Sequence, residues 1–381
     1  MPERLNLFED VRRQLTVCNS CRYCEGYCAV FPALERLNHV TDGNAVFLAN
    51  LCHDCRACYQ ACPYTPPHEL AINIPAVLSE VRGTTYSGYA WPRRLAGLAA
   101  RAGVWTVALA VVGILLSLGV IAATGGLTRF WNADSGAGSF YRVIPYLVLA
   151  ASGMAASAYI IVVMVVGSVR FWKDVGGSRS EASDRRAWMA ALRDVATMVN
   201  LRGGGSDCYQ PSPLEPSGAR RMLHQAVLYG FALAFVSTAL AALYQDILGW
   251  EPPYPFWSAP VITGSIGGIL MVTGCTGLLW LKAQSLKKAR ALISRQMASM
   301  DNAFMVVLDV AAITGMLTLV FRGTGAMATM LTLHLASLVA LYATAPYGKF
   351  VHSVYRFLAL LKNRAEQRRE RLQSAQNLAR P

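Results

Sequence analysis

The sequence predicts a mostly α-helical protein in two parts: a soluble, cysteine-rich domain at the N-terminus and a six-helix transmembrane bundle behind it. Three observations carry this reading. Hydrophobic residues make up 54% of the 381 and charged residues only 15%, against roughly a quarter charged in an ordinary soluble domain. Eight of the ten cysteines fall between Cys18 and Cys62, and six long apolar runs follow Arg101. The boundaries drawn from these features are 1–100 for the soluble domain, 101–361 for the bundle with a polar loop at 168–221, and 362–381 for a polar tail.

The soluble part begins MPERLNLFEDVRRQL, without the apolar run of a secretory leader. The domain is therefore expected in a reducing cytoplasm, where clustered thiols hold metal in preference to forming disulfides. Its first group is Cys18-x2-Cys21-x2-Cys24-x3-Cys28 and its second is Cys52-x2-Cys55-x2-Cys58-x3-Cys62, followed by Pro63. Three closely spaced thiolates can wrap one face of a cubane, while the fourth cysteine of the run ligates the other cluster. The expected ligand sets are thus crossed: Cys18, Cys21, Cys24 and Cys62 for one 4Fe-4S cluster, and Cys52, Cys55, Cys58 and Cys28 for the second. Zinc sites instead favour two ligand pairs with a longer spacer. The stretches ALERLNHV and NAVFLANL between the groups look helical, which favours an α-helical ferredoxin-like domain over a compact β-containing one. With eight cysteines completing two clusters, His39, His53 and His68 are left to hydrogen bonding or to the surface. Cys208 and Cys275 have no neighbouring thiol in sequence and read as structural.

The six apolar runs are Val104–Thr124, Val143–Gly167, Met222–Tyr244, Pro260–Leu281, Ala303–Phe321 and Ala326–Ala345. Each approaches the ~20 residues needed to cross the hydrocarbon core. Of the 35 Lys and Arg, only Arg129, Arg142 and Arg322 lie in one set of loops, and the other 32 lie in the opposite set or at the termini. That asymmetry predicts both termini and the cysteine domain on the cytoplasmic side of a bacterial cytoplasmic membrane. It also accounts for the net charge of +13 without nucleic acid as a partner. The loop from Gly249 to Trp257 fits an aromatic belt at the far interface. In the 168–221 loop, Asp184–Leu201 has the pattern of an amphipathic helix, expected along the membrane surface or against the cysteine domain. The closing stretch KNRAEQRRERLQSAQNL reads as a solvated helix.

Three histidines lie in the membrane half. His224 opens the third span and His352 follows the sixth, so both lie toward the cytoplasmic ends of their spans. A b-type haem held between helices needs two facing imidazoles at one level, so His224 with His352 is the preferred pair. His224 with His334, which lies within the sixth span, is the alternative and requires a shifted third helix. Asp309, about seven residues into the fifth run, is the clearest carboxylate in an apolar segment. It is a candidate for proton delivery to a quinone or for pairing with Arg295 or Lys349.

The two cysteine groups, the six spans, RGGGSDC ending at Cys208, and Arg220-Arg221-x2-His224 within RRMLHQAVLYGF resemble the tricarballylate (or citrate) utilization protein B family over essentially the whole chain. This chain has Gln225 where members often carry a second histidine. The resemblance implies electron transfer from a reduced FAD-containing tricarballylate dehydrogenase through the clusters to membrane quinone. The membrane half is also similar to the cytochrome b subunit of respiratory nitrate reductase, which implies a cytochrome b-like bundle. In that comparison His224 and His352 match the ligands of the haem nearer the cytoplasm. His334, 18 residues from His352 and so close to five helical turns away, matches a second site whose partner is missing near Ala234. One haem b is therefore expected.

No dinucleotide-binding GxGxxG and no catalytic base stand out, so substrate oxidation falls to the separate flavoprotein and this chain is its electron-transfer, quinone-reducing subunit. A different class of reading is a transporter or redox sensor with an iron-sulfur input domain. Transporters favour inverted repeats and charged midplane groups, and here only His334 and Asp309 qualify.

Overall fold

A computed structural model describes residues 2–133, 136–205, 207–209, 212, 214–288 and 295–379. The cysteine-rich part is built from α1 (Pro2–Cys21), α2 (Val30–Glu35), α3 (Asp42–Leu51), α4 (Ala57–Ala61) and α5 (Ile74–Gly88). Local chemistry sets the helix starts. Thr41 Oγ1 accepts from the backbone N–H of Asn44 (3.2 Å) to open α3, and Asn73 Oδ1 accepts from that of Ala76 (3.2 Å) to open α5, with Pro75 in its first turn. Every residue of α3 from Ala45 to Leu51 is buried, because α1, α2 and α5 pack around it and a C-terminal helix covers the rest.

Beyond it come α6 (Ala102–Ala123), the short α7 (Ser139–Val143), α8 (Tyr146–Asp174), α9 (Arg179–Ala182) and α10 (Arg185–Thr197). The chain continues with α11 (Ala219–Asp246), α12 (Ala259–Lys288), α13 (Arg295–Val320), α14 (Met327–Thr344) and α15 (Val351–Leu378). Six of these are long and apolar enough to cross a membrane: α6, α8, α11, α12 as far as Ser285, α13 from Met297, and α14. They fall on the six runs expected from sequence, and the chain is a multi-pass membrane protein. Exposed Val107, Leu115, Leu147, Ile161 and Phe235 form the apolar outer surface that such helices turn to lipid. Among the described residues the β structure is one isolated bridge, Cys208 with Ser217.

In α11 and α12 the backbones touch. A Cβ on Gly230 would stand 2.8 Å from the Gly267 carbonyl oxygen, and one on Gly267 2.9 Å from that of Gly230. Without a hydrophobic drive between helices in lipid, such small-residue contact is what lets spans associate.

The soluble helices, α9, α10 and α15 gather at one end of the bundle. At the other end Arg322 donates to the Tyr254 carbonyl (2.6 Å) and lies 3.8 Å over the Phe256 ring, so the aromatic loop caps that end.

Three expectations change. The sixth span and His352 do not share a helix. Pro346 cannot supply the next helical N–H, α14 ends at Thr344, and the N–H groups of Tyr347 and Gly348 fold back onto the Thr344 carbonyl (3.1 and 2.7 Å). The five-turn relation between His334 and His352 is therefore broken by the turn at 345–350. Second, the tail is not simply solvated. Lys362, Asn363, Ala365 and Glu366 are buried, with Asn363 accepting from Arg36 (2.5 Å) and Lys362 paired to Glu366 (2.6 Å); full exposure begins only near Arg369. Third, α10 lies against α15, where Asp194 takes a bidentate contact from Arg364 (2.6 Å at each oxygen) and Asp184 one from Arg368 (2.6 Å).

Candidate functional site

The eight clustered cysteines line two cavities. Cys18, Cys21 and Cys24, from the end of α1 and the loop after it, surround the first with Cys62. Cys52, Cys55 and Cys58, at the end of α3 and in α4 with the loop between them, surround the second with Cys28. Phe31 of α2 is common to both linings, and Cys24 Sγ lies 4.0 Å from the Cys58 carbonyl oxygen. Each cavity thus draws three thiols from one run and the fourth from the other. The turns that aim them are left-handed at Arg22, Asp54 and Arg56 (φ 56°, 53° and 64°), a conformation that costs L-residues roughly 1–2 kcal/mol and marks a backbone held by its surroundings.

Electrostatics explain what such cavities need. Burial, then the neighbouring Cys62, Cys24 and Cys21, pushes the Cys18 thiol up to about 12, and burial with Cys62 and Cys21 pushes Cys24 up to about 11. Burial followed by Cys55 and Cys52 raises Cys28, and burial followed by Cys28, Cys52, Cys55 and Cys24 raises Cys58. Thiolates are the ligating form, so each group ionises only around a compensating cationic core, releasing protons as the metal enters. Among the described residues no three His, Cys, Asp or Glu side chains converge on a point suited to one metal ion. The Tyr64 N–H already points at Cys62 Sγ (3.4 Å), as a donor to a bound thiolate would.

The second cavity is the deeper one. Cys52 and Cys55 are buried, whereas Cys21 is exposed at the first. The segment after α10 closes over the second: the Tyr209 N–H donates to the Cys55 carbonyl (3.0 Å), Cys208 is fully buried with its thiol donating to the Leu201 carbonyl (3.2 Å), and the thiols of Cys208 and Cys55 meet. Sequence reasoning gave Cys208 a structural role; its place beside a cavity-lining thiol was hidden by the 152 intervening residues, and RGGGSDC was the one signal.

On the bundle side of the second cavity lie the histidines. His224 on α11 and His352 on α15 face each other with ring centroids 6.1 Å apart and planes at 57°. Two imidazoles on opposite sides of one metal ion, with bonds of about 2.0 Å and ring radii of about 1.1 Å, have centroids about 6.2 Å apart. His352 Nδ1 is bonded to the Lys349 carbonyl (2.6 Å), which makes it the protonated nitrogen and leaves Nε2 to bind metal. Burial, then Lys349 and Arg356, holds His352 well below the usual imidazole range, keeping it in the neutral, ligating form. His224 Nδ1 is sealed without a partner. Gln225 donates to the Ala196 and Thr197 carbonyls (3.4 and 3.3 Å), tying α11 to the end of α10.

His334 goes elsewhere. Its Nδ1 is bonded to the Ala311 carbonyl (3.0 Å) on α13 and lies 3.3 Å from Thr314 Oγ1. Gly315 makes room for the ring, since a Cβ there would stand 3.0 Å from Cε1. Asp309 accepts from Thr276 (2.8 Å), and its second oxygen is buried without a partner. The expected pairing with Lys349 is replaced: Lys349 pairs with Asp301 (2.7 Å), which also takes Lys282 (3.3 Å). The Arg295 side chain lies outside the described residues. His53, beside Cys52 in the second cavity, is bonded to the Leu51 carbonyl (2.8 Å) and sits within electrostatic reach of Arg356, Arg220 and His224. It spans the gap between the cysteine site and the histidine pair.

The family model described as Citrate utilization protein B matches residues 97–373, and that of the Citrate utilization protein B Fer4-like domain matches residues 11–88. The chain is 40% identical over 364 residues to "Citrate utilization protein B" of Escherichia coli, covering 94% of this chain and 93% of that protein. No solved structure matches.

Proposed function

We propose, from the premise that this chain belongs to the citrate utilization protein B family, that it carries electrons from a reduced FAD-containing tricarballylate dehydrogenase to membrane quinone. Two 4Fe-4S clusters and one haem b supply the one-electron steps when bound. Cys18, Cys21, Cys24 and Cys62 hold the outer cluster, and Cys28, Cys52, Cys55 and Cys58 the inner one. His224 and His352 would hold the haem between their facing imidazoles. His334, bonded to α13, steadies that helix against α14. Asp309, with one carboxylate oxygen unpartnered in the bundle, is the candidate to hold a proton for quinone reduction. The cysteine domain and both termini face the cytoplasm of a bacterial inner membrane, where the 32-to-3 division of Lys and Arg would put them.

The observation that carries this reading is the spatial order: an outer ring of four thiols with exposed Cys21 and Tyr23 beside it, an inner buried ring, and the paired imidazoles. The flavoprotein then docks over the outer ring. Anaerobic purification of the full chain should give iron and acid-labile sulfide at the level of two cubanes, with a dithionite-reduced b-type band. His224→Ala and His352→Ala should each abolish that band, while His334→Ala keeps it. Zinc in place of iron, or a full haem complement in both His224→Ala and His352→Ala, would refute it.

A further inference from the structure

Around the histidine pair the polypeptide places more positive charge than it neutralises. Arg220 precedes His224 by four residues on α11, and Arg356 follows His352 by four on α15. Each therefore lies on the face of its histidine, one turn or about 6 Å away, on the side of the inner cysteine ring. Arg220 is anchored there by donating to the Asp54 carbonyl (2.6 Å). Arg82, which is 3% exposed, donates to the carbonyls of Ala49 (2.8 Å) and Cys52 (3.3 Å). The Nε atoms of Arg356 and Arg82 are both sealed from solvent with no hydrogen-bond partner.

The nearby carboxylates are already engaged. Asp54 is shared with Arg56 (3.9 Å), and Asp301 sits between Lys349 and Lys282. A guanidinium sealed at Nε without a partner is costly unless an anion completes it.

We propose that Arg220 and Arg356 form a carboxylate clamp that holds the two propionate groups of the haem, at the edge of the porphyrin turned toward the inner cysteine ring. This rests on the reading of His224 and His352 as axial ligands. The ligand chemistry is that of a pair of carboxylates on a planar apolar ring, and guanidinium is the side chain that binds carboxylate in two-point fashion. The clamp fixes the rotation of the ring about its axis and points its charged edge at His53 and the inner cluster. It also raises the potential of the haem, because cations beside the propionates oppose the extra positive charge of ferric iron.

The test uses the full chain in detergent: wild type, Arg220→Gln, Arg356→Gln, the double variant and Arg356→Lys. Haem per protein, iron, acid-labile sulfide and the haem midpoint potential are measured on each. Each Gln variant should move the ferric/ferrous ratio toward ferric by about tenfold, or about 59 mV for one electron. The double variant should lose haem while keeping iron and sulfide, and Arg356→Lys should recover most of the potential. A second measurement needs no variant: haem-depleted full chain should bind protohaem dimethyl ester at least tenfold more weakly than haem itself. Haem and its ester bound alike by the wild type, or unchanged potentials in both Gln variants, would overturn the clamp and leave the histidine pair standing. A wild type without haem would overturn both.

Discussion

The buried triad of Lys282, Asp301 and Lys349 supplies a quantitative test of how the end of the bundle is held. Asp301 lies 2.7 Å from Lys349 and 3.3 Å from Lys282, with side chains 13–28% exposed. Removing one partner of a fully buried ion pair costs roughly 3–5 kcal/mol, and an exposed pair contributes under about 1 kcal/mol. The partial exposure puts Asp301→Asn between them, at about 2–3 kcal/mol, with two lysines left facing each other. The effect reaches the site because the Lys349 carbonyl accepts from His352 Nδ1 (2.6 Å), so a displaced Lys349 turns the imidazole. Thermal unfolding of the purified protein followed by circular dichroism, together with haem release, should show Asp301→Asn markedly less stable. Lys349→Met should cost less, and the double variant should be more stable than the two single losses added, with a coupling of about 1–2 kcal/mol. Strict additivity in this cycle would mean that Asp301 and Lys349 do not act as a pair, and the account of the bundle end would fail.

Further outcomes follow from the same packing. Ending the chain after Arg371 should leave iron content and stability unchanged, since the described residues beyond it, 372–379, are exposed, whereas ending it before Lys362 removes the partners of Arg36 and Asp194 and should destabilise the cysteine domain, as read by iron loss during purification. The hydrogen bond from Arg368 holds the Asp184 carboxyl below the usual aspartate range; a depressed folded value gives stability that is full above the ordinary pKa near 3.9 and lost as pH falls through the folded one. Arg368→Gln should therefore raise the pH at which α10 and α15 separate in acid, which protease access to the loop after α10 would report. Gly230→Leu should cost more than about 2 kcal/mol through overlap with α12, seen as loss of membrane-integrated protein. Cys208→Ala should leave the iron content intact but shift the electron paramagnetic resonance signal of one cluster only, and an unchanged spectrum would show that its thiol does not influence Cys55.

The spans and the cysteine rings were legible because their signals are local. Twenty apolar residues mean the same wherever they stand, and a thiol every third residue constrains its own loop. The crossing of Cys28 and Cys62 followed from the same reasoning, since x3 spacing carries the fourth thiol past the ring its neighbours form. The rings of His224 and His352 face each other, as their shared side of the bundle suggested, but the level of His352 is set by the turn at 345–350 where Pro346 ends α14. What stayed hidden depends on contacts between distant segments. KNRAEQRRERLQS reads as solvated until Arg36, Asp184 and Asp194 meet it, and the closure of Lys282 and Lys349 on Asp301 carries no sequence signal.

That division has a consequence for how the site is assembled. The outer ring draws its thiols from residues 18–62, and Val17, Pro63, Tyr64 and Ile72, which complete its lining beyond that range, all belong to the cysteine-rich part. The inner ring, by contrast, borders Cys208, Arg220 and, through His53, His224 and Arg356. Those residues come from the loop after α10, from α11 and from α15, so the surroundings of the inner ring are completed by the membrane half. Guanidiniums stand between the thiols and the imidazoles where the two halves meet. A negative cluster on one side and a carboxylate-bearing ring on the other would satisfy those cations from both directions, making the junction the most charge-dependent part of the fold.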